Sequence, residues 1–258
     1  MSDYVKLGLC SITFRDRTPE QIIDVAKQAD LDAIEWGGDI HVPPGEVMTA
    51  KHVRQMTEAN GLTISSYGSY YRAGFASENN HDFLTILDTA VALGAPSIRI
   101  WAGMYDPEDA SPQYRSKVVT DTKRMADIAQ QKNIAIHFES HGGTLTRTKA
   151  SARQLMEDVS HPNVFLYWQP AIGESVKQRL VTIDELHPWI SNVHIFHWTE
   201  EERLPLSNGM KEWKQYLRAI ESDGKERYVL LEFVKNDDVK HFMQDAATLH
   251  KLKAAIES

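Results

Sequence analysis

NIAIHFESHGG (residues 133–143) joins an apolar run, typical of a buried strand, to three polar side chains and two glycines. Successive side chains of a strand point to opposite faces, so His137, Glu139 and His141 are expected on one face. A carboxylate buried between two imidazoles is costly unless a cation or hydrogen bonds compensate it. The stretch therefore predicts a strand that ends at a site for a cation.

The same order of apolar run, loop and amphipathic segment recurs along the whole chain. Short runs rich in Ile, Val and aromatic residues are typical of strands that are buried on both faces. The predicted strands cover residues 5–14, 32–37, 62–68, 96–103, 133–140, 163–169, 190–198 and 227–234.

The segments between these strands carry helix signals. Thr18, Pro19 and Gln21 form an N-terminal capping pattern, and the last helix is expected to begin near Asp238. Strands that alternate with helices predict a parallel sheet. Eight such units predict an α/β fold, a (β/α)8 TIM barrel with residues 1–258 as a single domain. A doubly wound open sheet is the alternative, although no Gly-rich turn follows the first strand.

The composition of the chain limits its possible partners and cellular location. The chain has 258 residues, a formal net charge of −8 and a pI near 5.8, which argue against nucleic acid or an anionic membrane as partner. Its one cysteine, Cys10, excludes an internal disulfide. Neither a signal peptide nor an apolar run of about 18 residues is evident, so we expect a cytoplasmic protein.

Polar residues gather where the predicted strands end, which is where TIM barrels place their active sites. These residues are Glu35, Asp39, His41, Glu139, His141, Gln169, His194, His197 and Glu232. Glu232 lies between a leucine and a phenylalanine, and buried carboxylates are rare without a partner.

Four of these residues end successive strands, so closure of the barrel brings them together: Glu139, Gln169, His194 and Glu232. Two converging carboxylates repel each other unless a cation lies between them. The oxygen-rich donor set favours Mn²⁺ or Mg²⁺ and also accepts Co²⁺ or Zn²⁺. The alternative is a polar plug without metal.

The chain resembles the xylose isomerase-like barrels, the group of sugar phosphate isomerases/epimerases and type 2 AP endonucleases, over its whole length. The motifs that carry the resemblance are GLCSITFRDRTPEQII (8–23), LDAIEWGGDIHVP (31–43), SYGSYYRAG (66–74), FESHGG (138–143), LHPWISNVHIF (186–196) and VLLEF (229–233). The resemblance implies a metal held by Glu139, His194 and Glu232.

The sequence departs from the family pattern at one ligand position and leaves the choice of ligand open at another. LYWQPAIG (166–173) has Gln169 where an Asp is usual, which removes one negative charge and implies weaker metal binding. In the seventh strand His194 and His197 fall on opposite faces. His194 is preferred as the ligand because Ile190 and Val193 then keep their strand positions; the other alignment makes His197 the ligand, with Arg203 reaching the substrate.

The resemblance further implies proton transfer next to a carbonyl, with the metal as Lewis acid stabilising an enediolate of a sugar or keto-sugar. Glu139 and Glu232 would exchange protons with the substrate carbon. His141 would shuttle a proton or support Glu139. Candidate substrate contacts, each with packing as the alternative role, are Glu35, Trp36, His41, Arg99, Trp101, Trp168, His197 and Arg203.

Three competing functions remain at this point. A lyase or dehydratase acting on a keto-sugar, an inosose or a 3-keto-glycoside would use the same metal. A sugar-binding barrel that has lost its metal would be favoured by Gln169 and opposed by the two Glu and the His. A DNA repair nuclease would need more metal ligands and a basic groove. We expect a small non-phosphorylated sugar as the binding partner. Barrels of this family often dimerise, so the resemblance also implies a homodimer.

Overall fold

Eight parallel strands form a closed barrel in the computed structural model, which describes residues 4–75 and 81–257. The barrel strands are β1 Val5–Cys10, β2 Ala33–Gly37, β3 Thr63–Arg72, β4 Ser97–Trp101, β5 Ala135–Phe138, β6 Val164–Trp168, β7 Ile190–Ile195 and β10 Arg227–Leu231. The short strands β8 His197–Trp198 and β9 Arg203–Leu204 form a separate hairpin. The barrel strands adjoin in the order β1-β10-β7-β6-β5-β4-β3-β2. The predicted (β/α)8 barrel is thus confirmed, and the doubly wound sheet is excluded.

Helices alternate with these strands. They are α1 Pro19–Gln28, α2 Val47–Ala59, α3 Phe83–Leu93, α4 Pro112–Gln130, α5 Lys149–Val159, α6 Val176–Leu186, α7 Met210–Ile220 and α8 Val239–Ile256. The predicted capping box of α1 is present, with Thr18 and Gln21 bonding each other's backbone, and Asp238 caps α8. No helix among the described residues is long and apolar enough to cross a membrane.

Contacts divide the chain into two compact units. The first contains Met1–Glu35, Met56–Thr63 and Trp168–Ser258. Within it β1 pairs with β10 and with the start of β2, and β10 pairs with β7. Gly8 makes this packing close, because a Cβ there would lie 2.7 Å from the Ala33 carbonyl oxygen and 2.6 Å from Leu230 Cδ2. A larger residue at position 8 would push β1 away from its neighbours.

The second unit contains Trp36–Gln55 and Ile64–Tyr167. Within it β4 pairs with β3 and β5, and β5 pairs with β6. The register places Arg99 beside His137 on adjacent strands. The second unit therefore contains β5, which forms the first part of the stretch NIAIHFESHGG (residues 133–143).

Several strands end earlier than the sequence predicts. After β1, Ser11–Phe14 form a buried 3-10 turn instead of continuing the strand. β5, β6 and β10 stop one residue before Glu139, Gln169 and Glu232, whereas His194 lies inside β7. The three acidic or amide side chains are thus the first residues after their strands.

A buried carboxylate on α8 gives the first prediction. Asp245 Oδ1 accepts a hydrogen bond from the Leu206 N–H at 2.8 Å, and burial raises the pKa of Asp245 to about 6 from its usual 3.8. The folded state therefore binds more protons than the unfolded state between pH 4 and 6, so this group's stability contribution is lost as pH rises through that window.

Asp245→Asn keeps an acceptor and removes the charge. We expect the variant to gain about 1 kcal/mol of unfolding free energy at pH 8 and nothing at pH 4, measured by urea denaturation. An equal change at both pH values would contradict the assignment.

Candidate active site

His194 lies at the centre of the polar cluster in the first unit. It is fully buried, and its Nδ1 lies 2.9 Å from Gln169 Oε1 and 3.4 Å from Glu232 Oε2. On the opposite side of the ring, Nε2 lies 3.6 Å from Glu35 Oε1. Both carboxylates are at least 94% buried, so the imidazole separates two acidic groups held away from water. Such an arrangement suits a cation, since buried charges are otherwise costly.

The backbone next to Glu232 holds an unusual conformation. Phe233 has φ of +47°, in the left-handed region, which costs energy for a bulky residue. Its N–H donates to Thr13 Oγ1 at 3.0 Å, and the Glu232 N–H donates to the Ile195 carbonyl. These bonds turn the chain immediately after β10 and fix the direction in which Glu232 leaves the strand.

In the second unit, Glu139 is held by cationic and polar donors. Arg99 forms a buried ion pair with Glu139 Oε2, and Trp101 Nε1 donates to the same oxygen at 2.6 Å. Arg99 and Trp101 come from β4, the neighbouring strand. Two donors on one oxygen fix the orientation of this carboxylate.

His141 differs from its predicted position. Because β5 ends at Phe138, the alternation that would place His137, Glu139 and His141 on one face does not extend to His141. The loop instead stacks the His141 ring on Trp101, with ring centroids 4.7 Å apart and planes 28° apart. His141 therefore contacts the Trp101 ring, and it is Trp101 that donates a hydrogen bond to Glu139.

The first unit contains buried donors that could hold a metal ion. Ligand atoms of Cys10, Glu35 and His194 all lie within 4.8 Å of one another. On the other edge of the His194 ring, Gln169 and Glu232 offer an amide oxygen and a carboxylate oxygen. Oxygen and imidazole donors match the ligand preferences of Mn²⁺ and Mg²⁺, so these residues fit a divalent cation. Cys10, the last residue of β1, had no part in the predicted site.

The aromatic residues predicted to contact substrate divide into two groups. Trp36 is fully buried with its edge against His41, and Trp168 packs edge-on against Trp213. Trp101 instead lines a pocket of about 440 Å³. The same pocket is lined by Asp39, Tyr70 and Arg72, and the Arg72 guanidinium lies 4.3 Å from the Trp101 ring centroid.

Sequence reasoning did not single out Arg72. Burial lowers the pKa of its guanidinium, and its Nη1 donates to the Gly103 carbonyl. The signal was available in the run of aromatic and polar residues "SYYR" that extends β3 beyond its predicted end.

His197 and Arg203 lie in a short hairpin outside this cluster. β8 His197–Trp198 pairs antiparallel with β9 Arg203–Leu204. Arg203 pairs with Asp237 and lies over the Phe233 ring at 4.6 Å. His197 lines a separate pocket of about 520 Å³, and burial lowers its pKa.

This geometry gives a prediction that separates the two histidines. We expect His194→Ala to weaken Mn²⁺ binding at least about 100-fold, because a lost ligand costs more than an outer-shell partner. His197→Ala should leave the Mn²⁺ dissociation constant within about threefold of wild type. Isothermal titration of both variants provides the measurement. The reverse ranking would assign the ligand role to His197.

A family model described as xylose isomerase-like TIM barrel matches residues 23–254. The chain belongs to this family. Two relatives with assigned activities match at low identity. A 3-dehydroshikimate dehydratase of Bacillus anthracis is 25% identical over 202 residues, covering 74% of this chain and 71% of that protein. A probable L-ribulose-5-phosphate 3-epimerase of Mycoplasma pneumoniae is 23% identical over 258 residues, covering 91% and 83%.

Solved structures of other family members share the fold. The probable 3-dehydroshikimate dehydratase of Bacillus anthracis superposes with a TM-score of 0.80 at 20% identity, covering 95% of this chain and 98% of that one. A xylose isomerase-like barrel protein of Mycobacterium smegmatis in complex with magnesium gives 0.74 at 17% identity, covering 97% of each chain. The relatives with assigned activities are thus enzymes, an epimerase and a dehydratase.

Proposed function

We propose that the chain is a divalent-metal-dependent isomerase or epimerase of a small sugar or keto-sugar. The observation that carries the proposal is the buried cluster around His194, whose Nδ1 faces Gln169 Oε1 and Glu232 Oε2. The proposed metal ligands are Glu139, Gln169, His194 and Glu232, the set that the family resemblance implies. Gln169 Oε1, 2.9 Å from His194 Nδ1, adds a neutral oxygen where the family has a carboxylate. Mn²⁺ or Mg²⁺ is the proposed metal, because the donors are mainly hard oxygens.

The chain's own residues supply the proton chemistry. Glu139 and Glu232 are the bases that take a proton from, and return it to, the carbon beside the substrate carbonyl. Arg99 and Trp101 hold the Glu139 carboxylate by its Oε2, so that the group keeps one orientation. The turn at Phe233 fixes the direction in which the Glu232 side chain leaves the backbone. The bound cation would polarise the carbonyl as a Lewis acid.

The pocket that contains Trp101 supports a polyhydroxylated substrate. Its aromatic wall of Tyr70 and Trp101 suits the apolar face of a sugar, while Arg72 and Asp39 offer donors and acceptors for hydroxyl groups. Trp101 connects this pocket to Glu139 directly.

A dehydratase is the second candidate function. The observation in its favour is the likeness to the Bacillus anthracis dehydratase, which has a TM-score of 0.80. Dehydration begins with the same proton abstraction beside a carbonyl and then expels a hydroxyl as water.

One experiment tests both candidates. Mn²⁺-loaded protein is incubated in D₂O with a panel of ketohexoses, ketopentoses and 3-dehydroshikimate, and products are identified by NMR. An isomerase or epimerase incorporates deuterium at the reacting carbon and produces an isomer of equal formula. A dehydratase produces a compound with one water fewer. A panel without exchange or product would contradict the proposal, provided that Mn²⁺ is shown to be bound.

A further inference from the structure

The two nitrogens of His194 face different surroundings. Nδ1 faces Gln169 Oε1 and Glu232 Oε2, at 2.9 and 3.4 Å. Nε2 faces Glu35 Oε1 at 3.6 Å, with the His194 side chain fully buried and that of Glu35 2% exposed. The ring is thus placed between two donor sets, one on each edge.

A neutral imidazole binds a metal through one nitrogen and carries its proton on the other. Without a metal, Gln169 Oε1 at 2.9 Å is the nearer acceptor and favours a proton on Nδ1. Nδ1 is also the nitrogen nearest to Glu232, one of the proposed metal ligands. A metal bound at Nδ1 would therefore displace that proton, and the ring would carry its proton on Nε2, which then needs an acceptor of its own. The acceptor on that side is the Glu35 carboxylate. The distance of 3.6 Å exceeds the length of a hydrogen bond, about 2.9 Å, by about 0.7 Å, so the two side chains must move together by that amount for the bond to form.

Glu35 is well placed to hold this position. It lies within β2, where its register partner on β1 is Cys10, and it is 2% exposed. A carboxylate on a buried strand has few rotamers available and leaves its site only at high cost.

We infer that Glu35 is a positioning residue that accepts a hydrogen bond from the Nε2–H of His194 and so directs the Nδ1 lone pair toward the metal. This inference rests on the proposed function. It replaces the predicted role of Glu35 as a contact to a substrate hydroxyl.

The trio of Cys10, Glu35 and His194 offers a rival explanation, a second metal bound on the Nε2 side. Structural zinc sites have four protein ligands, and only these three His, Cys, Asp or Glu side chains meet here among residues 4–75 and 81–257. A proton shared between Nε2 and Glu35 needs no further ligand, so the geometry favours the positioning role.

The test compares Mn²⁺ affinity by isothermal titration for wild type, Glu35→Gln and Glu35→Leu. Asp245→Asn is the matched control, since it also removes a buried carboxylate of the first unit. We expect the dissociation constant to rise about 100-fold for Glu35→Leu, about tenfold for Glu35→Gln, which keeps an acceptor oxygen, and not at all for the control. Thermal melts without metal show whether each variant folds.

Nitrogen NMR of ¹⁵N-histidine-labelled protein loaded with Zn²⁺, a diamagnetic substitute, gives an independent readout. We expect the His194 proton on Nε2 in wild type, hydrogen-bonded and therefore shifted downfield and protected from solvent exchange, and we expect both signatures to be lost in Glu35→Leu. Three results would each overturn the inference. They are Glu35 variants whose Mn²⁺ dissociation constants stay within twofold of wild type, a His194 proton on Nδ1 in the Zn²⁺-loaded protein, and a second bound metal that is lost in Cys10→Ser. Wild type that binds no Mn²⁺ would instead remove the proposed function, and this inference with it.

Discussion

Glu139→Gln and Glu232→Gln should each lower kcat/KM by about 10²–10⁴-fold at saturating Mn²⁺, the range expected when a proton-transferring group is removed. Glutamine keeps the size and the coordinating oxygen of glutamate but cannot take a proton. For an epimerase the two variants should differ in direction. Each base serves one face of the substrate carbon, so each variant should lose deuterium exchange from one epimer more than from the other.

The control for these variants is Asp245→Asn, which changes a buried carboxylate that bonds Leu206 and leaves the site intact. Its kcat/KM should stay within about twofold of wild type. Equal loss of exchange from both epimers in Glu139→Gln and Glu232→Gln would contradict the two-base scheme. Loss of deuterium exchange in only one of the two variants would favour the dehydratase, because dehydration needs a single base at the substrate carbon.

Arg99→Met should destabilise the metal-free protein by about 3–5 kcal/mol, because it leaves Glu139 as a buried charge without its paired cation. The side chains of Arg99 and Glu139 are 1% and 5% exposed. Saturation with Mn²⁺, at about 100 times its dissociation constant, should recover about 2.7 kcal/mol. Urea denaturation with and without Mn²⁺ measures both effects.

The exposed pair Arg153–Glu157 on α5 is the matched control for this prediction. Its side chains are 52% and 44% exposed at a separation of 2.9 Å. Arg153→Met should cost less than about 1 kcal/mol, as surface ion pairs do. A similarly small cost for Arg99→Met would show that Arg99 does not hold Glu139 in solution.

The barrel was predictable because local patterns agree with one another. Apolar runs gave all eight barrel strands, and Thr18 and Asp238 marked helix starts that the structure confirms. The strand ends were less predictable. Ser11–Phe14 are as buried as a strand, yet they form a 3-10 turn, since burial at a barrel rim does not require extended backbone.

The positions of the candidate residues relative to the strands were predictable. Glu139, Gln169 and Glu232 each follow the end of a strand, which is where a parallel barrel places active-site groups. Contacts between distant segments were not predictable. The pair of Arg99 and Glu139 joins residues 40 apart in sequence, and its register depends on how β4 and β5 align. The stacking of His141 on Trp101 depends on a loop conformation that alternation cannot describe.

The most direct test of the proposed metal-dependent activity is metal content, measured by elemental analysis of untagged protein purified without chelator and then equilibrated with Mn²⁺. The proposed site predicts about one Mn²⁺ per chain, together with a rise in melting temperature on Mn²⁺ addition. Protein that retains no Mn²⁺ and shows no thermal shift would contradict it. The strand-end cluster would then be a polar plug within the barrel.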